Sequence, residues 1–280
     1  MALPTITAVP GVAVGHHTDD VAATGVTVLT FPEPNVAVVD VRGGAPGTRE
    51  TDSLGPAIKP VTVNALMFAG GSAFGLAAAT GVSAELERVG RGAPTPAGPV
   101  PIVPSAIVFD LMTGNPPGRP GPDEGAAAYL ARSTEPVALG RVGAGSGTTV
   151  GAWRGLEAMQ FAGVGSAAVR VGDAMVGALV VLNAAGDIFS LEGDSLTGGE
   201  HAAIAPRIGV AMLRKHDGYR AVTTCSHHLP DRVEDGLGDT GEVLLDADHQ
   251  QADPQGLDRW RRALSHVDQL HPAPKRLRAL

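Results

Sequence analysis

The residues of this chain that could do chemistry sit in glycine-rich turns and beside one asparagine. Ala69-Gly70-Gly71-Ser72-Ala73-Phe74-Gly75 joins an apolar run, Val61 to Phe68, to an alanine-rich helix start, Leu76 to Val82. A strand, a glycine turn and a helix N-terminus together present backbone N–H groups and a positive dipole end, which suit an anion, a carbonyl or a carboxylate. The same pattern also serves as a tight strand–helix connection that binds nothing. Gly140 to Gly151, reading GRVGAGSGTTVG, is a second such segment. It lacks Gly-Lys-Ser/Thr and so is not a P-loop. Its glycine spacing, with no acidic residue about 20 positions on, does not fit a dinucleotide fingerprint. Ser146 has Ala144 two positions before it, so it is not in a G-x-S-x-G elbow. Close approach of neighbouring backbones is the other use of such glycines.

Arg42-Gly43-Gly44-Ala45-Pro46-Gly47-Thr48-Arg49-Glu50-Thr51, followed by Asp52, is a charged glycine turn. Its charges are costly to bury unless paired, which fits a salt-bridged loop as well as a binding loop. Asn183 ends the apolar run Gly177 to Leu182 and precedes Ala184-Ala185-Gly186-Asp187. A carboxamide there must find partners or carry a desolvation cost, and a turn ahead of Gly186 is one way to find them. His16 and His17 are adjacent in a strand-like run and would point to opposite faces, so a shared metal is not expected.

The elements that must position these residues are legible from periodicity. Residues 4 to 15 alternate like an edge strand broken at Pro10-Gly11. Thr24–Phe31 and Val36–Val41 read as strands joined by Pro32-Glu33-Pro34-Asn35, which suggests an antiparallel hairpin. Val61–Phe68 and Ala106–Leu111 read as buried strands, Gly75–Gly90 and Glu124–Arg132 as helices. Val164–Arg170 and Ala174–Asn183 read as a second hairpin. After Pro206 polarity rises: a helix is expected over Arg207–Arg220, strands over Ala221–Cys225 and Glu242–Leu245, and helical spacing runs from Leu257 to Leu270.

Composition sets the outer limits. The chain has 280 residues, 44% of them hydrophobic and only 4% aromatic, so a sizeable core must be built from valine, alanine and leucine. A net charge of −8 argues against nucleic acid as a partner, since phosphate binding needs a clustered basic face. One cysteine, Cys225, excludes an internal disulfide and fits a reducing compartment. Without a signal-like N-terminus or an apolar run of about 18 residues, a cytoplasmic protein with no membrane contact is expected.

The wording RGGAPGTRETD followed by GGSAFGL, with VGAGSGTTVG and the Asn-Ala-Ala-Gly around Asn183, resembles the DmpA-type L-aminopeptidase/D-esterase and nylon-oligomer (6-aminohexanoate oligomer) hydrolase family over about residues 5 to 205. That resemblance implies an α/β fold, a DmpA/ArgJ-like four-layer αββα sandwich with mixed central sheets, and homo-oligomerisation. It implies a cofactor-free, metal-free, self-processing hydrolase of small peptides or amides, whose new N-terminal Ser or Thr is both nucleophile and base. An asparagine in this context donates to the oxyanion of the acyl-transfer transition state, so the resemblance gives Asn183 that role. Gly70, Gly71, Ser72, Gly143 and Gly145 are expected to converge on a substrate pocket near it.

The resemblance stops at about Pro206, which sets an expected boundary between a hydrolase domain, 1–206, and a divergent, partly disordered segment, 207–280. The family's amide-hydrolysing branch cuts ahead of a threonine in Asn-Thr-Thr and carries a later Asp-Gly-Asp; neither is present. Thr223 and Thr224, after Val222, are the nearest nucleophile candidates. Ala152 stands where some members carry a lysine, and Pro104-Ser105-Ala106 offers no acid where the aminopeptidase branch has a glutamate. Two readings follow: a self-processing amidase, and a catalytically silent binding or scaffold protein on the same fold.

Overall fold

Thr24–Thr30 (β2) is buried at every position because both of its faces are covered. Val26 and Val28 face a helical layer, while Leu29 faces a second sheet, as the period of two dictates. The computed structural model describes residues 4–41, 46–55, 61–114, 117–190 and 194–199, and the backbone of 207–215 and 218–226.

The strands are β1 (Ala13–Asp19), β2, β3 (Asn35–Val41), β4 (Thr48–Arg49), β5 (Ala65–Ala69), β6 (Ala93–Thr95), β7 (Gly98–Val100), β8 (Ser105–Ile107), β9 (Thr149–Val150), β10 (Gln160–Phe161), β11 (Val164–Val171), β12 (Ala174–Leu182), β13 (Arg207–Lys215) and β14 (Gly218–Ser226). The first sheet runs β1-β2-β5-β8-β4, with β5 and β8 parallel and the other pairs antiparallel. The second runs β11-β12-β13-β14-β3, antiparallel except for the β14–β3 pair. Both sheets are mixed. Ile6, Val9, Leu29, Leu66, Phe68, Leu179 and Val181 form one apolar core between them.

Helices α1 (Ala78–Arg88) and α2 (Pro122–Leu130) cover the other face of the first sheet. α1 buries Ala78, Ala79, Val82 and Leu86, a helical stripe, against Val26, Val28, Ala65 and Met67. α2 starts with proline at its first position, and Glu124 reaches back to accept from Gly121 N at 2.8 Å. Helix, sheet and sheet are three of the four expected layers; a helical cover on the second sheet is not among the described residues. No helix of the described residues is long and apolar enough to cross a membrane.

Several expectations give way to tertiary pairing. β2 and β3 do not form a hairpin: β2 pairs with β1 and β5, and β3 lies in the other sheet beside β14. Pro32 and Pro34 lack the N–H groups that would continue a ladder, and the segment carries the chain from one sheet to the other. The start is not an edge strand throughout, since Ile6–Ala8 is a 3₁₀ turn. Ala106–Leu111 is strand only as far as Ile107. The helix expected over Arg207–Arg220 is instead the β13–β14 hairpin, with Lys215 opposite Gly218. There Ile208, Val210 and Met212 alternate with period two, and strand pairing on both sides outweighs the weaker helical reading.

One compact unit comprises Met1–Leu54 and Pro60–Leu229, so the second sheet carries the fold past the boundary expected at 206. The other unit, Gly55–Lys59 with Pro230–Leu280, is described only at Gly55. The strand expected over Glu242–Leu245 and the helix over Leu257–Leu270 lie outside the described residues.

Candidate active site

The segment after β8, residues 108 to 113, organises the candidate site. Val108 N donates to Ala69 O at 2.9 Å, and Val108 O accepts from Ser72 N at 3.0 Å, which pins the Gly70-Gly71-Ser72 turn. The Asn183 carboxamide pairs with both main-chain groups of Phe109, its nitrogen donating to Phe109 O at 3.1 Å and its oxygen accepting from Phe109 N at 2.9 Å. The Asp110 carboxylate accepts from Thr24 Oγ1 and from Gly71 N, each at 2.6 Å. Thr113 Oγ1 is 2.7 Å from Asp110 O and 2.9 Å from Gly147 O, tying in the Gly143–Gly147 segment. One run of backbone thus joins Asn183 to both glycine turns.

The turns do not offer the free donors that their composition suggests. Gly70 N donates to Gly25 O, Gly71 N to Asp110 and Ser72 N to Val108 O. Gly143 N donates to Thr18 Oγ1, Ala144 N to Thr27 Oγ1 and Gly145 N to Val142 O. The glycines serve close approach instead. A Cβ on Gly70 would lie 2.0 Å from Asp110 Oδ2 and 2.1 Å from Thr24 Oγ1, and one on Gly143 2.3 Å from Thr27 Oγ1. A carboxamide has two N–H groups, and among the described residues Asn183 gives one of them to Phe109 O. Ser72, at φ +54°, holds a left-handed conformation that costs about 1–3 kcal/mol outside glycine.

Asp110 is 3% exposed, and burial raises its pKa while the Thr24 and Gly71 hydrogen bonds oppose that rise. On the other flank His16 Nδ1 lies 2.9 Å from Thr27 Oγ1. Its Nε2 is buried with no partner in hydrogen-bonding geometry among the described residues. Burial takes the His16 pKa from 6.5 down to about 4, against an upward pull from the Ala138 backbone. The imidazole is neutral at pH 7.

Asp187 closes the segment that begins with Asn183. Its carboxylate accepts from Trp153 Nε1 (2.7 Å), from Arg154 Nε and Nη2 (2.9 Å each) and from Thr197 Oγ1 (2.7 Å). Burial pushes its pKa upward, but those hydrogen bonds and the Arg154 charge outweigh burial and hold it below the usual carboxylate value. Gly151 N to Gly186 O and Trp153 N to Ala185 O add backbone bonds. Phe74, Phe109 and Met112, each about half exposed, give the frame an apolar rim, and the Arg119 guanidinium lies 3.9 Å from the Phe74 ring centroid.

Thr223 and Thr224 fall within β14, paired with Val210 and Gly209 on one side and with Val39 and Asp40 on the other. A crevice between β3 and the β5–β8 pair is lined by Val39, Val41, Phe68, Thr48 and Thr51 of the charged glycine turn, and Ser105 among others, and its lining includes neither Asn183 nor the Gly70–Ser72 and Gly143–Gly147 turns. Phe109, Asp110, Thr24 and the Asp187–Arg154–Trp153 group were not singled out at all. A signal existed for two of them: Asp110 is a lone carboxylate in an apolar run, and Asp187 ends the Asn183 segment.

The profile of Peptidase family S58 matches residues 4–218. A Mycobacterium tuberculosis protein described as an uncharacterized aminopeptidase is 46% identical over 193 residues, which cover 66% of this chain and 54% of that protein. A 6-aminohexanoate-oligomer endohydrolase of a Kocuria species is 31% identical over 201 residues, 71% of this chain and 53% of the enzyme. The chain spans about half the length of the curated relatives it matches. Among solved structures, the L-aminopeptidase D-Ala-esterase/amidase of Ochrobactrum anthropi, a variant of the Ntn-hydrolase fold, superposes with a TM-score of 0.56 at 15% identity, covering 93% of this chain and 82% of that one. A Burkholderia β-aminopeptidase gives 0.53 at 19% identity, with coverage of 94% and 83%. These two show the fold.

Proposed function

Because the chain belongs to Peptidase family S58, we propose that it is built as an amide or peptide hydrolase of the N-terminal-nucleophile type, acting on small peptides or amides. Asn183 is its oxyanion donor. The observation that carries the reading is the bidentate pairing of the Asn183 amide with Phe109, which orients the remaining N–H and removes the need to reorganise it during acyl transfer. Thr223 or Thr224 is the nucleophile candidate, and an N-terminal nucleophile has to be freed by cleavage of the chain before it. Gly70, Gly71, Ser72, Gly143 and Gly145 shape the site through close packing, and Phe74, Phe109 and Met112 supply an apolar surface for the acyl part.

A second reading rests on the same strand. The Val222–Thr223 bond lies inside β14, where Val222 pairs with both Ala211 and Val38. A bond held in a ladder on both sides is poorly placed for the N-to-O shift of self-cleavage. On this reading the chain stays uncut and is hydrolytically weak or silent, a binding protein on a hydrolase fold. Turnover of an aminoacyl-p-nitroanilide and of an N-capped amide decides between the two. The capped amide is the expected better substrate, since Pro104-Ser105-Ala106 carries no acidic residue to hold a substrate ammonium. No turnover of either leaves the silent reading standing.

A further inference from the structure

We infer that Asp110 is the positioning residue of this site, coupling the Gly71–Ser72 turn to the Asn183 amide. The inference rests on the reading of Asn183 as the oxyanion donor. Asp110 is almost wholly buried, and neither oxygen faces solvent for a role in substrate contact: Oδ1 accepts from Gly71 N and Oδ2 from Thr24 Oγ1, both at 2.6 Å. As a carboxylate, Asp110 accepts these bonds more strongly than a neutral acceptor in its place would. The next residue back, Phe109, gives both of its main-chain groups to Asn183. The φ and ψ that present Phe109 N and O to the amide are therefore fixed on one side by Asp110 and on the other by Val108, whose N and O pair with Ala69 and Ser72.

The surrounding sequence is shaped for this carboxylate. Gly70 leaves the space that Asp110 Oδ2 and the Thr24 hydroxyl fill. Gly71, left-handed at φ +80°, turns its N–H onto Oδ1 and delivers Ser72 into its own left-handed conformation. A serine in this sparsely populated region persists only where its surroundings over-determine it, and Asp110, through Gly71 N, and Val108 O are those surroundings. Loss of the charge releases the turn, and through Phe109 it releases the amide.

Asp110→Asn tests this, since it keeps the shape and one acceptor oxygen but not the charge. By NMR, the Gly71 amide proton should lie far downfield in the natural protein and move upfield in the variant, while solvent exchange of the Asn183 carboxamide protons speeds up at least about tenfold, the size expected for one lost charge-assisted bond. Resonances away from residues 24–25, 70–75, 108–113 and 183 should stay in place. Carboxamide exchange within twofold of the natural protein overturns the inference. Should Asp110→Asn not fold, Thr24→Val removes the Oδ2 donor with Asp110 intact, and the same two readouts decide by the same criteria. Where the natural protein hydrolyses an amide, kcat of Asp110→Asn should fall about tenfold with KM little changed; an unchanged kcat overturns the positioning role. A protein that shows the exchange linkage but no hydrolysis supports the positioning role and overturns only the hydrolase reading.

Discussion

At the scale of single residues, Asn183 has two tasks that one substitution can separate from bulk folding. Asn183→Ala removes the oxyanion donor and leaves Phe109 N and O without their partner. Any turnover of the natural protein should drop about 10²–10³-fold, the usual cost of one oxyanion donor. Stability should fall by about 1–3 kcal/mol for the unpaired backbone groups, read from urea titration. A turnover loss with no stability change would mean the Phe109 pairing is not what orients the amide. Asn183 was legible in the sequence because a carboxamide at the end of an apolar run stands out. Its partner was not, because any residue offers the same backbone N–H and C=O, and the side chain of Phe109 says nothing about them.

At the scale of elements, the glycine turns were found for the wrong physical reason. They were expected to bare their N–H groups, whereas the structure spends those groups internally and uses the absent side chains as space. Gly70→Ala would drive a methyl to 2.0 Å from Asp110 Oδ2 and 2.1 Å from Thr24 Oγ1. The expected cost is about 1–3 kcal/mol in urea titration, as for other overpacked sites. An alanine variant as stable as the natural protein would show that the turn can yield. The Gly143 segment carries a pH dependence through His16, whose ring contacts Thr27, the acceptor for Ala144 N. Its pKa is depressed in the folded state, so the contribution is present above 6.5 and is lost as pH falls from 6.5 towards about 4. Melting temperature should decline over that window, and His16→Gln should flatten the decline; an equal slope in both proteins would assign it to other groups. Periodicity found the β11–β12 hairpin, where the pattern is local, and missed the swap of β2 and β3 between sheets, where two prolines and long-range pairing decide.

At the scale of the molecule, the mixed α/β sandwich was legible mainly through motif wording, because local patterns do not specify which strands become neighbours. The wording ends near Pro206; β13 and β14 lie beyond it, where local pattern alone suggests a helix followed by a short strand. Their pairing gives the prediction for the whole chain. Intact-mass spectrometry should find a single full-length species. Fragments split before Thr223 or Thr224, and lost in Thr223→Ala or Thr224→Ala, would show that β14 opens far enough to be cut. The parallel β14–β3 pair has one more consequence, for the order of synthesis. β3 ends at Val41 and its neighbour begins at Gly218, so most of the chain leaves the ribosome before β3 can be closed. Until then β3, whose strand partner among the described residues is β14, has no ladder on either side, and another nascent copy could satisfy its backbone groups. Chains released before Gly218 would leave β3 unpaired, and it would template the association of like chains.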